Sequence, residues 1–274
     1  MSVKSRALSA EVLTVEDLSR HLGTQVVGRR ILVYPEVAST NTIALELGER
    51  GEPEGTVVVA ETQTAGRGRS GRPWFSSPHL GLWTSVLLRP PVGPGEASLL
   101  SQLAAVSLAE AIAEVEPSVV VRVKWPNDLV IGERKVAGIL VEVKTEGERV
   151  HHAVVGIGVN INHTLADFPE ALHRTAVSLF VASGKPVSRL RVAQALYRHL
   201  EAWYLRFIEG GSEPVLARLS SLSGTVGKWV RVETGQEDFE AFAEGINRDG
   251  SLRVRLPSGE MRDLVSGEVT IRQG

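Results

Sequence analysis

Arg67, Arg69 and Arg72 alternate with Gly66, Gly68 and Gly71 in "ETQTAGRGRSGRPWFS" (61–76), and Trp74 and Phe75 follow at once. Neither helix nor strand favours this composition, because glycine weakens both and neighbouring like charges repel. Two readings of the loop stand side by side. Its charges simply keep it solvated, or it captures an anion. Glycines let successive backbone N–H groups converge on one ligand, and guanidinium forks match phosphate or carboxylate oxygens two at a time. Trp74 and Phe75 would then offer a stacking face for a base. The spacing is neither that of a P-loop nor the Gly-x-Gly-x-x-Gly of a dinucleotide fold.

Three further stretches hold residues able to do chemistry. In "VKWPNDLVIGERKVAGILVE" (123–142), Pro126, Asn127 and Asp128 form a turn tripeptide bracketed by Trp125 and apolar strands. Lys135 leads into a strand of Val136, Ala137, Ile139, Leu140 and Val141, where a lysine needs an anionic partner or a wet pocket. A structural salt bridge and a ligand contact both satisfy it. In "VVGIGVNIN" (154–162), Gly156 and Gly158 inside a strand mark a bulge or a close approach to the backbone, and Asn160 is a turn residue or a polar contact. "STN" (39–41) reads as a helix N-cap whose polar groups could also serve a small ligand. The seven histidines show no metal-ligand spacing and take surface or structural roles.

The elements that must position these residues follow from periodicity. Helices are expected over 14–23, 39–51, 96–115 and 188–209, and strands over 30–34, 56–61, 80–89, 119–125, 129–132, 135–144 and 150–161. The turns "GER" and "TEGE" make the strands after residue 119 antiparallel hairpins. Beyond Ser221–Gly224 the pattern becomes short alternating strands, which suggests a small β-barrel. With 274 residues, 43% hydrophobic and 23% charged, the chain has room for one large domain plus an accessory. Its net charge of −2 argues against a general polyanion binder, such as an RNA-binding protein using the arginine loop. The absence of cysteine excludes disulfides, thiolate metal sites and thiol nucleophiles. No apolar run nears the ~20 residues of a membrane span and no signal peptide is evident, so a soluble cytoplasmic protein is expected.

"STN" at 39–41, "ETQTAGRGRSGRPWFS" at 61–76, "KWPNDLVIGERKVAGILVE" at 124–142 and "GIGVNIN" at 156–162, together and in this order, resemble the biotin–protein ligases. "SGEVTIR" at 266–272 is similar to the C-terminal strand of that family. The resemblance implies an α+β fold: a mixed sheet flanked by helices, class II synthetase-like, with a small C-terminal SH3-like β-barrel. It implies a catalytic domain over 1–222, within which 1–36 is a short N-terminal extension, and a barrel over 223–274. Bifunctional members carry a winged helix ahead of "STN". Only 38 residues precede Ser39 here, so a monofunctional enzyme without DNA binding is expected. A tryptophan that some relatives use near the end of the catalytic domain is Leu219 here.

The implied reaction joins biotin to AMP at the expense of ATP, with Mg²⁺ shielding the phosphates, and passes biotin to a lysine of a biotin carboxyl carrier domain. The resemblance assigns catalysis to Lys135, Arg69, Arg67 and Asp128, the last orienting or deprotonating the acceptor lysine. Biotin would meet Ser39, Thr40, Asn41, Gln63, Gly66, Arg67, Gly68, Arg69, Lys135, Gly138 and Gly156. ATP would meet Arg69, Arg72, Trp74, Asn127, Lys135, Asn160 and Arg272. A lipoate–protein ligase, with the same fold and adenylation chemistry, is the nearest rival. No resident protein metal site is implied, and a homodimer is an open possibility.

Overall fold

A computed structural model describes residues 11–271 except 236 and 266. In chain order the helices are α1 (Val15–Ser19), α2 (Thr40–Glu49), α3 (Leu99–Val115), α4 (Leu179–Ser183), α5 (Arg189–Gly210) and α6 (Glu213–Leu222). Seven strands form one mixed sheet: β1 (Arg30–Val37), β2 (Thr56–Gln63), β3 (Gly81–Leu88), β4 (Arg122–Lys124), β5 (Asp128–Ile131), β6 (Arg134–Glu146) and β7 (Arg149–Asn160). Their spatial order is β1-β2-β3-β7-β6-β5-β4, parallel between β1 and β2 and antiparallel elsewhere. Five more, β8 (Trp229–Glu233), β9 (Asp238–Ile246), β10 (Leu252–Arg255), β11 (Met261–Leu264) and β12 (Glu268–Ile271), form an antiparallel sheet in the order β11-β10-β9-β8-β12.

The β-branched run of β2 suits a strand buried on both faces. Val57 and Val59 join the large core with α3, α5 and α6, whereas Val58 joins Ala44, Leu87 and Val154 beneath α2. Helices thus cover both faces of the sheet, and α2 leaves the rest of its face for a site. α5 opens where the Ser188 hydroxyl accepts the Arg191 N–H. α1 ends sooner than the sequence pattern suggests, with an extended Arg20 at its C-cap. The strand expected over 119–125 shrinks to β4, because Pro117 and the turn at 117–118 precede it. α6 was not expected; Pro214 in its first turn starts it and Val215, Leu216 and Leu219 bury its inner face. No helix of the described residues is long and apolar enough to cross a membrane.

The second sheet is tied to the first through the turn after β4. Trp125 is buried among Val230, Val232, Ala241, Ala243, Leu252, Val254, Leu264 and Val269, the core of the five-stranded sheet. Its indole donates to the Gly250 carbonyl at 3.0 Å, and its backbone N–H donates to the Thr225 hydroxyl at 3.1 Å. Gln102 of α3 donates to the same Gly250 carbonyl at 2.6 Å. Leu219, with Val123, Pro126, Ser223 and Ile246, packs the turn from behind and is itself buried. Trp125→Ala is expected to cost about 3–5 kcal/mol, the range for emptying a buried tryptophan site. Urea unfolding checks it, and a loss under about 1 kcal/mol would mean the barrel does not depend on this anchor.

Candidate active site

On the face of the sheet beside α2, alternate residues of β3, β7 and β6 line up in rows. One row is Ser85–Gly156–Leu140 and the next is Trp83–Gly158–Gly138. Glycine at the centre of each row opens a trough, and two side chains lie in it. A Cβ at Gly156 would overlap the carboxamide of Asn41. One at Gly158 would stand 2.6 Å from the Trp74 indole, and one at Gly138 would stand 2.9 Å from that ring and 3.0 Å from Lys135 Cε. The close approach expected from "GIGVN" is therefore by side chains of the protein itself. Trp74 Nε1 is buried there without a hydrogen-bond partner among the described residues.

One end of the trough is polar and uncharged at its tip. The Gln63 side-chain carbonyl accepts the Thr40 N–H at 2.9 Å and the Thr40 hydroxyl at 3.1 Å, while its amide donates to Ser76 Oγ at 3.0 Å. The Ser85 hydroxyl lies 2.7 Å from Thr40 Oγ1 and 2.6 Å from Asn41 Oδ1. Asn41 Nδ2 donates to Glu142 at 2.7 Å and to the Leu140 carbonyl at 3.3 Å. Ser39 occupies the N-cap position of α2, yet its buried hydroxyl makes no capping bond. The "STN" stretch starts the helix while the side chains of Thr40 and Asn41 join this network.

The other end is cationic. Lys135 Nζ meets Asp128 Oδ1 at 2.6 Å and lies 5.2 Å from the Trp74 ring centroid. Lys124 stands opposite Asp128 in the β4–β5 register. Burial pushes the Lys124 ammonium below its usual pKa; nearby Lys135 and Arg72 add to that, and Asp128 opposes it. Burial also lowers the Arg69 pKa, again with Asp128 opposing. Arg69 reaches Asn127 Oδ1 at 3.4 Å, and Asn127 in turn donates to the Ile139 carbonyl at 2.5 Å. Asn160 lies alongside, donating to the Val177 carbonyl at 3.2 Å and lying 3.5 Å from the Lys135 carbonyl.

The loop between β2 and β3 is a tight hairpin-like turn. Gly68 N–H donates to Arg72 O at 2.7 Å, Trp74 N–H donates to Gly66 O at 2.8 Å, and Ser70 and Gly71 both have positive φ. Its three arginines have different surroundings. Arg67 holds both Glu142 oxygens, at 3.0 and 3.1 Å, and Thr42 Oγ1 at 2.8 Å. Arg72 is ion-paired with Glu268 of β12. Arg69 makes no ion pair within 4.0 Å among the described residues. Arg272 lies outside the described residues. Among the described residues, no cluster of three His, Cys, Asp or Glu could hold a metal.

The residues missed in the sequence are Lys124, Ser85, Ser76 and Glu142. Lys124 sits inside "KWPND", and its charge beside a strand pairing with Asp128 was a usable signal. Glu142 was another, a carboxylate closing the apolar run "VAGILV". Ser85, inside the buried strand "LWTSVLL", carried no signal beyond its polarity.

Residues 33–160 match the biotin/lipoate A/B protein ligase family, and residues 225–272 match the biotin protein ligase C terminal domain. The bifunctional ligase/repressor BirA of Bacillus subtilis is 34% identical over 94% of this chain and 79% of its own length. The biotin–[acetyl-CoA-carboxylase] ligase of Paracoccus denitrificans is 33% identical over 81% of this chain and 92% of its own. The biotin protein ligase of Aquifex aeolicus, solved in complex with biotin and ATP, superposes with a TM-score of 0.76 at 28% identity, covering 90% of this chain and all of that one. The chain belongs to the biotin/lipoate A/B protein ligase family.

Beyond Trp74, Phe75 leans on His163, which is fully buried, stacks on Phe168 at 4.8 Å and meets the edge of Trp83 at 6.0 Å. Among the described residues neither of its ring nitrogens has a partner, and burial lowers its pKa to about 4. Below the unfolded value of about 6.5, the unfolded chain takes up a proton that the folded one refuses. Stability present above pH 6.5 is therefore lost as pH falls towards 4, by about 3 kcal/mol at the lower end. His163→Phe should flatten that part of the profile in denaturation at stepped pH. Coincident wild-type and variant slopes would refute this.

Proposed function

We propose that this chain activates biotin with ATP to biotinyl-5′-AMP and transfers the biotinyl group to a lysine of a carboxylase's biotin carboxyl carrier domain. The observation that carries the reading is the trough itself: a neutral polar end and a cationic end, separated by a floor of glycines. Biotin's ureido ring is uncharged and needs matched donors and acceptors. Ser39, Thr40, Asn41 and Gln63 would supply them, with Gly138 and Gly156 as the close walls. Lipoate, whose dithiolane lacks such groups, would leave the buried polar tip unmatched, and unmatched buried polar groups discriminate strongly. That favours biotin over the rival acid.

In the first step a biotin carboxylate oxygen attacks the α-phosphorus of ATP. The new O–P bond forms as the bond to pyrophosphate breaks, and pyrophosphate leaves with the electron pair. Two anions must meet, so cations are needed where negative charge gathers. Arg69, half-buried and without a carboxylate partner within 4.0 Å among the described residues, is poised for an anion, as are Lys135 and Lys124, which share Asp128. Arg72, Asn127, Asn160 and the Trp74 ring would line the nucleotide side, and the backbone of Gly66 and Gly68 would close the loop over the intermediate. Arg67, held by Glu142, would contribute through the loop it anchors. Mg²⁺ bound with ATP would be held chiefly by the phosphates and would shield their charge.

In the second step the carrier lysine's amine attacks the acyl carbon, the C–N bond forms, and AMP departs with the electrons of the acyl–oxygen bond. A lysine of ordinary pKa near ~10.4 must first lose a proton. Asp128, released from Lys135 as the phosphates draw that ammonium away, is the base in reach. The reading places the enzyme in the cytoplasm with its ATP and carboxylase. It includes no DNA-binding role for the described residues, since those ahead of β1 form one helix of five residues.

Calorimetry with biotin, with and without ATP, tests the reading. Heat with biotin and none with lipoate is expected; the reverse would make the chain a lipoate ligase. Lys135→Ala should lower biotin-dependent pyrophosphate exchange about 100-fold or more while unfolding at the wild-type urea midpoint, by analogy with removal of a transition-state charge donor. Exchange at the wild-type rate would reduce Lys135 to a structural partner of Asp128. Lys124→Gln should raise the KM for ATP with little change in biotin binding. An unchanged KM for ATP would place Lys124 outside the phosphate site.

A further inference from the structure

Glu142 has no part in either chemical step, yet groups from two other elements converge on it. It stands on β6, two residues past Leu140 and on the face of the sheet that carries the trough. From the glycine-rich loop, Arg67 grips both its oxygens, at 3.0 and 3.1 Å. From the first turn of α2, Asn41 Nδ2 donates to it at 2.7 Å. The same arginine reaches Thr42 of α2 at 2.8 Å, so loop, helix and sheet meet at one carboxylate.

The Asn41 carboxamide is decisive for a ligand. A carboxamide turned by 180° exchanges its donor and acceptor. Here the Ser85 hydroxyl sits at Oδ1 and the Glu142 carboxylate at Nδ2, and a carboxylate can only accept. Glu142 is thus the shorter, charged acceptor at the Asn41 nitrogen, with the Leu140 carbonyl at 3.3 Å the longer one, and it strengthens the hold on which end of Asn41 faces the Gly156 floor. It also neutralises Arg67, whose guanidinium would otherwise stand 33% exposed beside the polar tip with no opposite charge within 4.0 Å among the described residues.

We propose that Glu142 is a positioning residue for biotin: it fixes the orientation of Asn41 and moors the Arg67 end of the loop to α2, so that the polar end of the trough is set before ligand enters. This rests on the biotin-ligase reading. It also gives Arg67 a different task from Arg69, that of a strut and not a carboxylate receptor.

Steady-state pyrophosphate exchange and biotin calorimetry on E142Q, R67Q and the double variant test it, with melting temperature followed in parallel. Loss of one charged hydrogen bond corresponds to roughly a tenfold change in an equilibrium constant. E142Q should raise the biotin KM and Kd by about that factor and leave the KM for ATP unchanged. The double variant should be no worse than either single one, because it leaves no unpaired charge, and such non-additivity marks a coupled pair. E142D, which keeps the charge, should bind biotin more tightly than E142Q. Wild-type biotin affinity in E142Q, or equal losses for biotin and ATP tracking a lower melting temperature, would overturn the proposal. If E142Q does not fold, R67Q and E142D decide: wild-type biotin affinity in both, or equal losses for biotin and ATP in R67Q, overturn it. A wild-type protein that binds no biotin would instead refute the functional reading itself.

Discussion

Like-charge repulsion around one hairpin has to be held in check by the packing that surrounds it. Arg69, Arg72, Lys124 and Lys135 gather at the β4–β5 turn, where Asp128 is the one carboxylate shared between the two lysines. Such a cluster repels itself unless strong packing holds it. The holding comes from Trp125 in the core of the second sheet, from Asn127 bonded to Ile139, and from Glu268 of β12 on Arg72. Charge excess and rigid support are two halves of one arrangement. A looser turn would let the cations spread into water and lose their attraction for a polyanion.

The trough solves a second problem with the same economy of parts. Its floor must be low enough for flat groups to lie on a sheet, which glycine at Gly138, Gly156 and Gly158 permits. Its two ends must differ in polarity, and strand alternation does this. β3 contributes Ser85 to one row and Trp83 to the next, and β6 contributes Glu142 towards the polar end and Gly138 towards the cationic one. Residue type along each strand therefore maps onto position along the trough.

Much of this was legible in the sequence. Periodicity marked α3 and α5 closely, and the change of pattern after Ser221 marked the second sheet. The arginine–glycine loop, "KWPND" and "GIGVN" announced themselves by composition, because glycine and charge are anomalous inside apolar runs. What stayed hidden was partnership. That Arg67 answers to Glu142, 75 residues away, is a fact of sheet register, which local pattern does not encode. Ser85 was hidden for the same reason: a serine in a buried strand shows its purpose only once Thr40 and Asn41 lie above it. α6 was obscured because it is only ten residues long and has Pro214 in its first turn, which signals a turn as readily as a helix start.

The burial of Trp125 within the second sheet has a consequence for how the chain can be assembled and divided. The eight other core residues of that sheet all come from residues 230–269, so its hydrophobic centre is completed by a side chain encoded about a hundred positions earlier. A fragment holding only the C-terminal strands would carry a hole the size of an indole, and a five-stranded unit so small has little other apolar surface to make up the deficit. The module thus shares its core with the larger domain, however separate its strands look in the sequence. Its complete core therefore includes a side chain that the first sheet's turn presents.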